Sequence, residues 1–270
     1  MGLSAFSKIL DAASSLSLSA ACSSHTGKRR KNNEDNFFFG GQYMSYRNQG
    51  LGSVLQKSFS LRKNRFYAVF DGMVGGEYGE IASYMAAKAA AEYLEAEEDK
   101  NSKDKKKYLE EMTLQMSGRI YQEASRLEAG LMGSTLAALY FADGWLWSVN
   151  VGDSRCYLLR DGKLRLLSKD QTDEDYMKEN GISGRKPYLT QYLGMDPEEM
   201  KVLPYISCLQ QGRADRFLIC SDGLTDMLPL SVIEGILLEN QRAGKMVERL
   251  LEEALVAGGK DNITAIVIDL

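Results

Sequence analysis

Aspartate recurs beside glycine at the ends of apolar runs along this 270-residue chain. Phe66 to Phe70 delivers Asp71-Gly72, Val149 to Gly152 delivers Asp153, and Phe217 to Cys220 delivers Ser221-Asp222-Gly223. Gly258-Gly259-Lys260 introduces Asp261-Asn262. Taken singly, each is a turn residue, since Asp-Gly makes hairpin corners. Four such places, together with Asn33-Glu34-Asp35, shift the balance toward converging carboxylates. Oxygen ligands of this kind suit hard divalent cations such as Mg²⁺ and Mn²⁺, which need no histidine. Two cations about 3.5 to 4 Å apart can share a bridging hydroxide and hold a phosphoryl group for in-line attack. Without metal, such carboxylates repel and raise one another's pKa values.

The elements that must position these residues are legible in outline. Strand patterns occur at Leu16 to Cys22, Arg65 to Phe70, Val202 to Leu209, Arg216 to Cys220 and Ile263 to Leu270. Between them, Ser134 to Phe141, Trp145 to Val149, Arg155 to Leu159 and Lys163 to Leu167 are separated by Asp143-Gly144, Gly152-Asp153 and Asp161-Gly162, which reads as a β-meander. Helical periodicity covers Glu80 to Glu98, Lys107 to Glu128, Pro229 to Glu239 and Lys245 to Ala257, with a shorter helix expected over Leu3 to Ala13. Strands bracketing two pairs of adjacent helices predict an α+β fold of stacked antiparallel sheets with helices outside them. No repeat or Pro- and Ser-rich linker divides the chain, so residues 1–270 are expected to form one domain. Residues 169–200 read as a polar excursion, charged and containing Gly181, Gly184 and Pro187.

Composition removes several classes of function. Lys plus Arg total 33 against 37 Asp plus Glu, a net charge of −4 that offers no global basic excess for nucleic acid. Histidine occurs once, as His25, so no mechanism or metal site needing two imidazoles is possible. Cys22, Cys156, Cys208 and Cys220 lack C-x-x-C spacing and are expected to be small buried residues. The longest apolar runs, such as Leu136 to Ala142, are far short of the ~20 residues a membrane span requires. The amino terminus lacks the basic region of a secretory signal, so a cytoplasmic setting is the expectation.

The segments RRKNNED, FYAVFDGMVGG, GSTLAALYF, VNVGDSRCYLL, FLICSDGLTDML and GGKDNITAIVI occur in the order and spacing of the protein phosphatase 2C family. From about Leu16 onward the chain resembles the compact bacterial members of these metal-dependent protein serine/threonine phosphatases. The resemblance implies two packed antiparallel sheets flanked by antiparallel helix pairs, with two Mg²⁺ or Mn²⁺ ions in a cleft at one edge. It implies that Asp71 bridges both ions, Gly72 offers its carbonyl to one, and Asp222 and Asp261 complete the ligands of the other. Asp35, ahead of Glu34, would serve the second ion through water, and Asp153 would help hold a third, weaker ion. Arg30 matches the arginine that clamps the substrate phosphate. Residues 169–200 match the family's variable flap. A hydroxide bridging the ions would attack phosphorus in line, on phosphoserine or phosphothreonine in a protein.

Two positions depart from the pattern. Met73-Val74-Gly75-Gly76-Glu77 carries no histidine, leaving metal-bound water or an acid such as Glu77 to protonate the leaving oxygen. Val74 replaces a glycine and cannot readily take a positive φ. Asn262, Ser221, Thr264, Ser134 and Thr135 are read as residues that order turns and packing, and His25 is given no catalytic role. The chain is expected to act as a monomer on phosphorylated proteins, opposing a serine/threonine kinase, with no nucleic acid or membrane partner. A catalytically silent scaffolding module of the same fold is the alternative.

Overall fold

The structure is a computed structural model that describes residues 17–61, 65–74, 78–96 and 104–270. The expected helix at Leu3 to Ala13, residues 97–103, and Gly75, Gly76 and Glu77 lie outside the described residues. Twelve strands form two sheets among these residues. The first sheet orders β3 (Leu55–Ser60), β1 (Ser17–His25), β12 (Ile263–Asp269), β11 (Arg216–Cys220), β8 (Arg155–Arg160) and β9 (Lys163–Leu166). The second orders β10 (Tyr205–Gln210), β7 (Trp145–Val151), β6 (Leu136–Ala142), β4 (Phe66–Val74) and β2 (Asp35–Phe39), with β5 (Met132–Ser134) also paired to β4. Every named strand pair is antiparallel.

Alternation along the strands sorts side chains into three apolar layers. On β4, Tyr67 and Val69 enter the layer between the sheets, while Phe66, Ala68 and Phe70 face the other way. On β6, Ala137, Leu139 and Phe141 face inward between the sheets, while Leu136, Ala138 and Tyr140 face outward. The outward set packs against α1 (Gly79–Ala96) and α2 (Lys105–Arg126). Across the molecule, Ala265 and Val267 of β12 and Leu218 of β11 pack against α5 (Leu230–Leu238) and α6 (Ala243–Val256). Covered on both faces, the central strands show unbroken apolar runs rather than a polar and apolar alternation. This is the expected α+β arrangement of two antiparallel sheets flanked by helix pairs.

The meander is corrected. β6 pairs with β7 and β8 with β9, but β7 lies in the second sheet and β8 in the first. Asp143-Gly144 and Asp161-Gly162 are tight turns with both residues at positive φ, the geometry of a two-residue hairpin. Gly152-Asp153 instead carries the chain from one sheet to the other, which sets Asp153 at an edge between them. Strand β3 falls in a stretch where the sequence pattern gives no strand. It is an edge strand whose Leu55 and Phe59 supply its apolar contacts. Residues 169–200 contain one short helix, α3 (Glu174–Glu179), and are otherwise irregular. Cys22, Cys156 and Cys220 are buried as expected, whereas Cys208 is exposed on β10, the edge strand beside β7; all four thiols are free.

Candidate active site

The period of two that sorts the apolar layers also builds the site. Inward-facing residues of β2 run Phe39, Phe37 and then Asp35, and those of β4 run Tyr67, Val69 and then Asp71. Asp35 and Asp71 are directly opposite one another across the β2–β4 ladder. In the other sheet the same face ends in Ser24 on β1, Thr264 on β12 and Ser221 just past β11. One end of the inter-sheet layer therefore changes from Phe, Val and Ile to carboxylates and hydroxyls, and these polar groups find one another. Ser221 Oγ donates to Asp35 Oδ2 at 2.8 Å and Thr264 Oγ1 donates to the same oxygen at 2.7 Å. Ser24 and Thr264 hydroxyls are 2.8 Å apart.

Two glycines allow the backbones to close around this end. A β-carbon on Gly72 would lie 2.1 Å from the Gly79 carbonyl oxygen and 2.6 Å from that of Glu34. Gly72 N–H donates to Glu34 O at 3.1 Å, fastening β4 to the segment before β2. A β-carbon on Gly223 would lie 1.9 Å from the Asn262 carbonyl oxygen, so glycine is what lets Asp222 and Asp261 approach. Gly223 lies in α4 (Asp222–Thr225), a single turn following β11.

The expected turn residues act as braces. Asn262 donates to the carbonyls of Thr26 at 2.8 Å and Asn32 at 2.9 Å, and its Oδ1 accepts from Glu34 N–H at 2.8 Å. It thereby fixes the loop that carries Arg30. Thr135 accepts from Asp71 N–H at 3.1 Å and donates its own N–H to Asp71 O at 2.8 Å, holding the backbone of that aspartate on both sides. His25 is absorbed locally, its Nδ1 accepting from Gly27 N–H at 2.8 Å.

Electrostatically the cluster is strained as a set of bare anions. Burial raises Asp71 well above the ordinary carboxylate range, and Asp35, Asp222, Asp153 and Asp261 each raise it further. Asp35 is pushed up to about 7, chiefly by burial, against the pull of its two hydroxyl donors. Asp153 is likewise pushed up to about 7 by burial and then by Asp222. Glu34 is raised mainly by burial, with Arg30 acting in the opposite sense. Two side-chain cations meet the cluster. Arg30 Nη2 donates to Asp261 Oδ2 at 2.8 Å and its Nη1 lies 3.7 Å from Glu34. Lys186, from the 169–200 segment, donates to Asp222 Oδ2 and, at 2.9 Å, to Asp226 Oδ2.

The fold thus brings Asp35, Asp153, Asp222 and Asp261 within electrostatic reach of Asp71, with Arg30 and Glu34 at the rim. They are neighbours rather than a closed cage: among the described residues, no three carboxylate, imidazole or thiol groups are already gathered at metal-ligand spacing. Arg30 and Lys186 each hold a carboxylate of the set. The donors nonetheless fit a hard cation. They are all oxygen, and Asp35 Oδ1 is buried with no hydrogen-bond partner among the described residues, a cost that a bound cation would remove. Lys186, Thr135 and the Ser221–Thr264 pair that holds Asp35 were not anticipated as site residues. The continuation of the period of two beyond the last apolar residue of each strand was the signal for the hydroxyls; Lys186 had none.

Known proteins give a consistent picture. The family model described as Protein phosphatase 2C matches residues 52–253. The chain is 31% identical over 238 residues to serine/threonine protein phosphatase PstP of Mycobacterium tuberculosis, spanning 85% of this chain but 45% of that longer protein. It is 30% identical over 258 residues to the serine/threonine phosphatase stp of Listeria welshimeri, spanning 90% of this chain and 92% of that one. Among solved structures, the PstP catalytic domain in complex with two manganese ions superposes with a TM-score of 0.74 at 29% identity, covering 94% of this chain and 99% of that chain.

Proposed function

The chain belongs to the protein phosphatase 2C family, and from that premise we propose that it is a metal-dependent phosphatase that hydrolyses phosphoserine and phosphothreonine in proteins. The observation that carries the reading is the replacement of the apolar inter-sheet layer by carboxylates at one end, with Asp35 Oδ1 buried and without a hydrogen-bond partner among the described residues. Asp35, Asp71, Asp222, Asp261 and the Gly72 carbonyl would hold two Mg²⁺ or Mn²⁺ ions, with Glu34 at the rim. Such ions supply charge neutralisation for the phosphoryl oxygens and an acidified water as nucleophile.

The chain's own residues do the positioning. Ser221 and Thr264 fix Asp35 in one orientation, and Thr135 fixes the backbone of Asp71. Asn262 anchors the loop from which Arg30 reaches the cluster. Arg30 is half-exposed and held by the rim carboxylates, so it can exchange Asp261 for a phosphate and present a planar fork to two phosphoryl oxygens. Cys156 and Cys220 are buried and their thiols are raised by burial, which disfavours the thiolate that a cysteine-dependent phosphatase needs. A silent scaffolding module would have no use for this convergence of buried, mutually repelling carboxylates.

The same reading takes residues 1–270 as one catalytic unit with residues 169–200 as a flap, acting as a monomer in the cytoplasm opposite a serine/threonine kinase. Four free thiols are in keeping with a reducing compartment, and no helix among the described residues is long and apolar enough to cross a membrane. The test is a substrate panel in Mn²⁺: phosphothreonine and phosphoserine peptides, a phosphotyrosine peptide, a nucleotide and single-stranded DNA. Turnover confined to the first two supports the proposal. Cleavage of DNA, or preference for the nucleotide, would overturn it.

A further inference from the structure

Lys186 reaches the acidic cluster from the flap, and several features hold it there. Its ammonium bonds Asp222 Oδ2 and lies 2.9 Å from Asp226 Oδ2, bridging the first residue of α4 and the residue just after that turn. The backbone on either side is braced through one carboxylate. Asp173 accepts from Arg185 Nη2 at 2.5 Å and from Tyr188 N–H at 2.7 Å, and its own N–H donates to Tyr188 O at 2.9 Å. The Arg185 guanidinium also lies over the Tyr188 ring, 4.0 Å from its centroid. Lys186 is therefore presented from between two anchored neighbours, followed by Pro187 with its fixed φ. This lowers the ordering cost that ordinarily cancels a lysine ion pair.

The flap's root is tied to the same site. Gln171 N–H donates to Gly152 O at 3.0 Å and Gly152 N–H donates to Gln171 Oε1 at 3.0 Å, while Thr190 N–H donates to Gln171 O at 2.8 Å. Gly152 immediately precedes Asp153, so flap, Asp153 and Asp222 form one connected unit. Around Lys186 the facing charged groups are Asp222 and Asp226 from the α4 turn and Asp153 from the sheet crossover. A point cation on a flexible stem is well suited to sit where a small divalent ion would otherwise be drawn.

We propose that Lys186 is a tethered counter-ion that keeps a further divalent cation off the Asp153–Asp222–Asp226 side of the site, so that the intact chain holds two ions and loss of the lysine charge admits another. This rests on the two-ion reading given above. The bond runs to Oδ2 of Asp222, which leaves the other carboxylate oxygen for the paired ions. The third, weaker ion expected at Asp153 is then excluded while the flap is seated.

The experiment is a Mn²⁺ titration of the full chain, with free Mn²⁺ read by its electron paramagnetic resonance signal and folding checked by circular dichroism. Wild type should saturate at two ions. Lys186→Ala should add a third, weaker class, at Mn²⁺ concentrations at least about tenfold below any at which wild type departs from two ions, the scale on which an adjacent charge shifts an equilibrium. Lys186→Met should do the same, and Lys186→Ala with Asp153→Asn should lose the class again. Identical isotherms for wild type and both lysine variants overturn the proposal, as does a third ion already bound by wild type. Failure of the underlying reading looks different. Wild type would then bind no Mn²⁺ in an Asp71-dependent way, whereas two ions lost together in Asp71→Asn, with the lysine variants unchanged, refute the role of Lys186 alone.

Discussion

Replacing Asp35 by asparagine in the metal-free chain should stabilise the fold and, in the same protein, weaken Mn²⁺ binding. Asp35 is buried, and burial moves its pKa from the ordinary 3.8 to about 7, with Asp222 and Asp261 adding to the rise. A carboxyl raised on folding binds a proton in the folded state that the unfolded chain has already released. The penalty is absent below about pH 4, grows as pH rises, and is complete above about pH 7. Roughly three pH units at 1.36 kcal/mol each give about 4 kcal/mol at pH 8. Asparagine keeps an oxygen to accept from Ser221 and Thr264 and replaces the buried Oδ1, which has no partner among the described residues, by an uncharged amide. Urea unfolding in EDTA at pH 5 and pH 8 measures the effect. Wild type should be less stable at the higher pH, and Asp35→Asn should reduce that difference, leaving the share due to Asp71 and Asp153, and gain a few kcal/mol at pH 8. A variant less stable than wild type at pH 8, with an unchanged pH profile, would refute the reasoning.

Two further outcomes follow from the same contacts. Tyr67 buries a hydroxyl with no partner among the described residues, ringed by Phe39, Phe59 and Phe141, so Tyr67→Phe should raise the unfolding free energy by about 1 kcal/mol; a loss of that size would mean the hydroxyl is satisfied. Arg30→Lys keeps the charge but not the fork, so kcat/KM on a phosphothreonine peptide should fall by about ten- to a hundredfold with little change in melting temperature. Wild-type kinetics in that variant would remove Arg30 from phosphate binding.

Asp153 and Asp222 were visible in the sequence because each stands just past the end of an apolar strand, and β11 matches its expected span from Arg216 to Cys220. What turns Asp35 and Asp71 into one site is the β2–β4 register, which no local pattern specifies. The hydroxyls beneath them were legible in principle, since Ser24, Ser221 and Thr264 continue the inward parity of their strands. Gly152-Asp153 looks like any hairpin corner in the sequence, and the change of sheet between β7 and β8, with a positive φ at Gly152 but not at Asp153, distinguishes it from Asp143-Gly144. Strand β3 escaped because an edge strand needs few apolar residues, and Lys186 because a contact with Asp222 across 36 positions leaves no periodic trace.

The central claim is metal-dependent hydrolysis at this carboxylate cluster, and phosphate release from a phosphothreonine peptide tests it most directly. The full chain, stripped with EDTA and then restored with Mn²⁺, should be inactive before restoration and active after it, and Asp222→Ala should stay inactive at the same Mn²⁺ concentration. Turnover in EDTA equal to that in Mn²⁺, or full activity in Asp222→Ala, would contradict it.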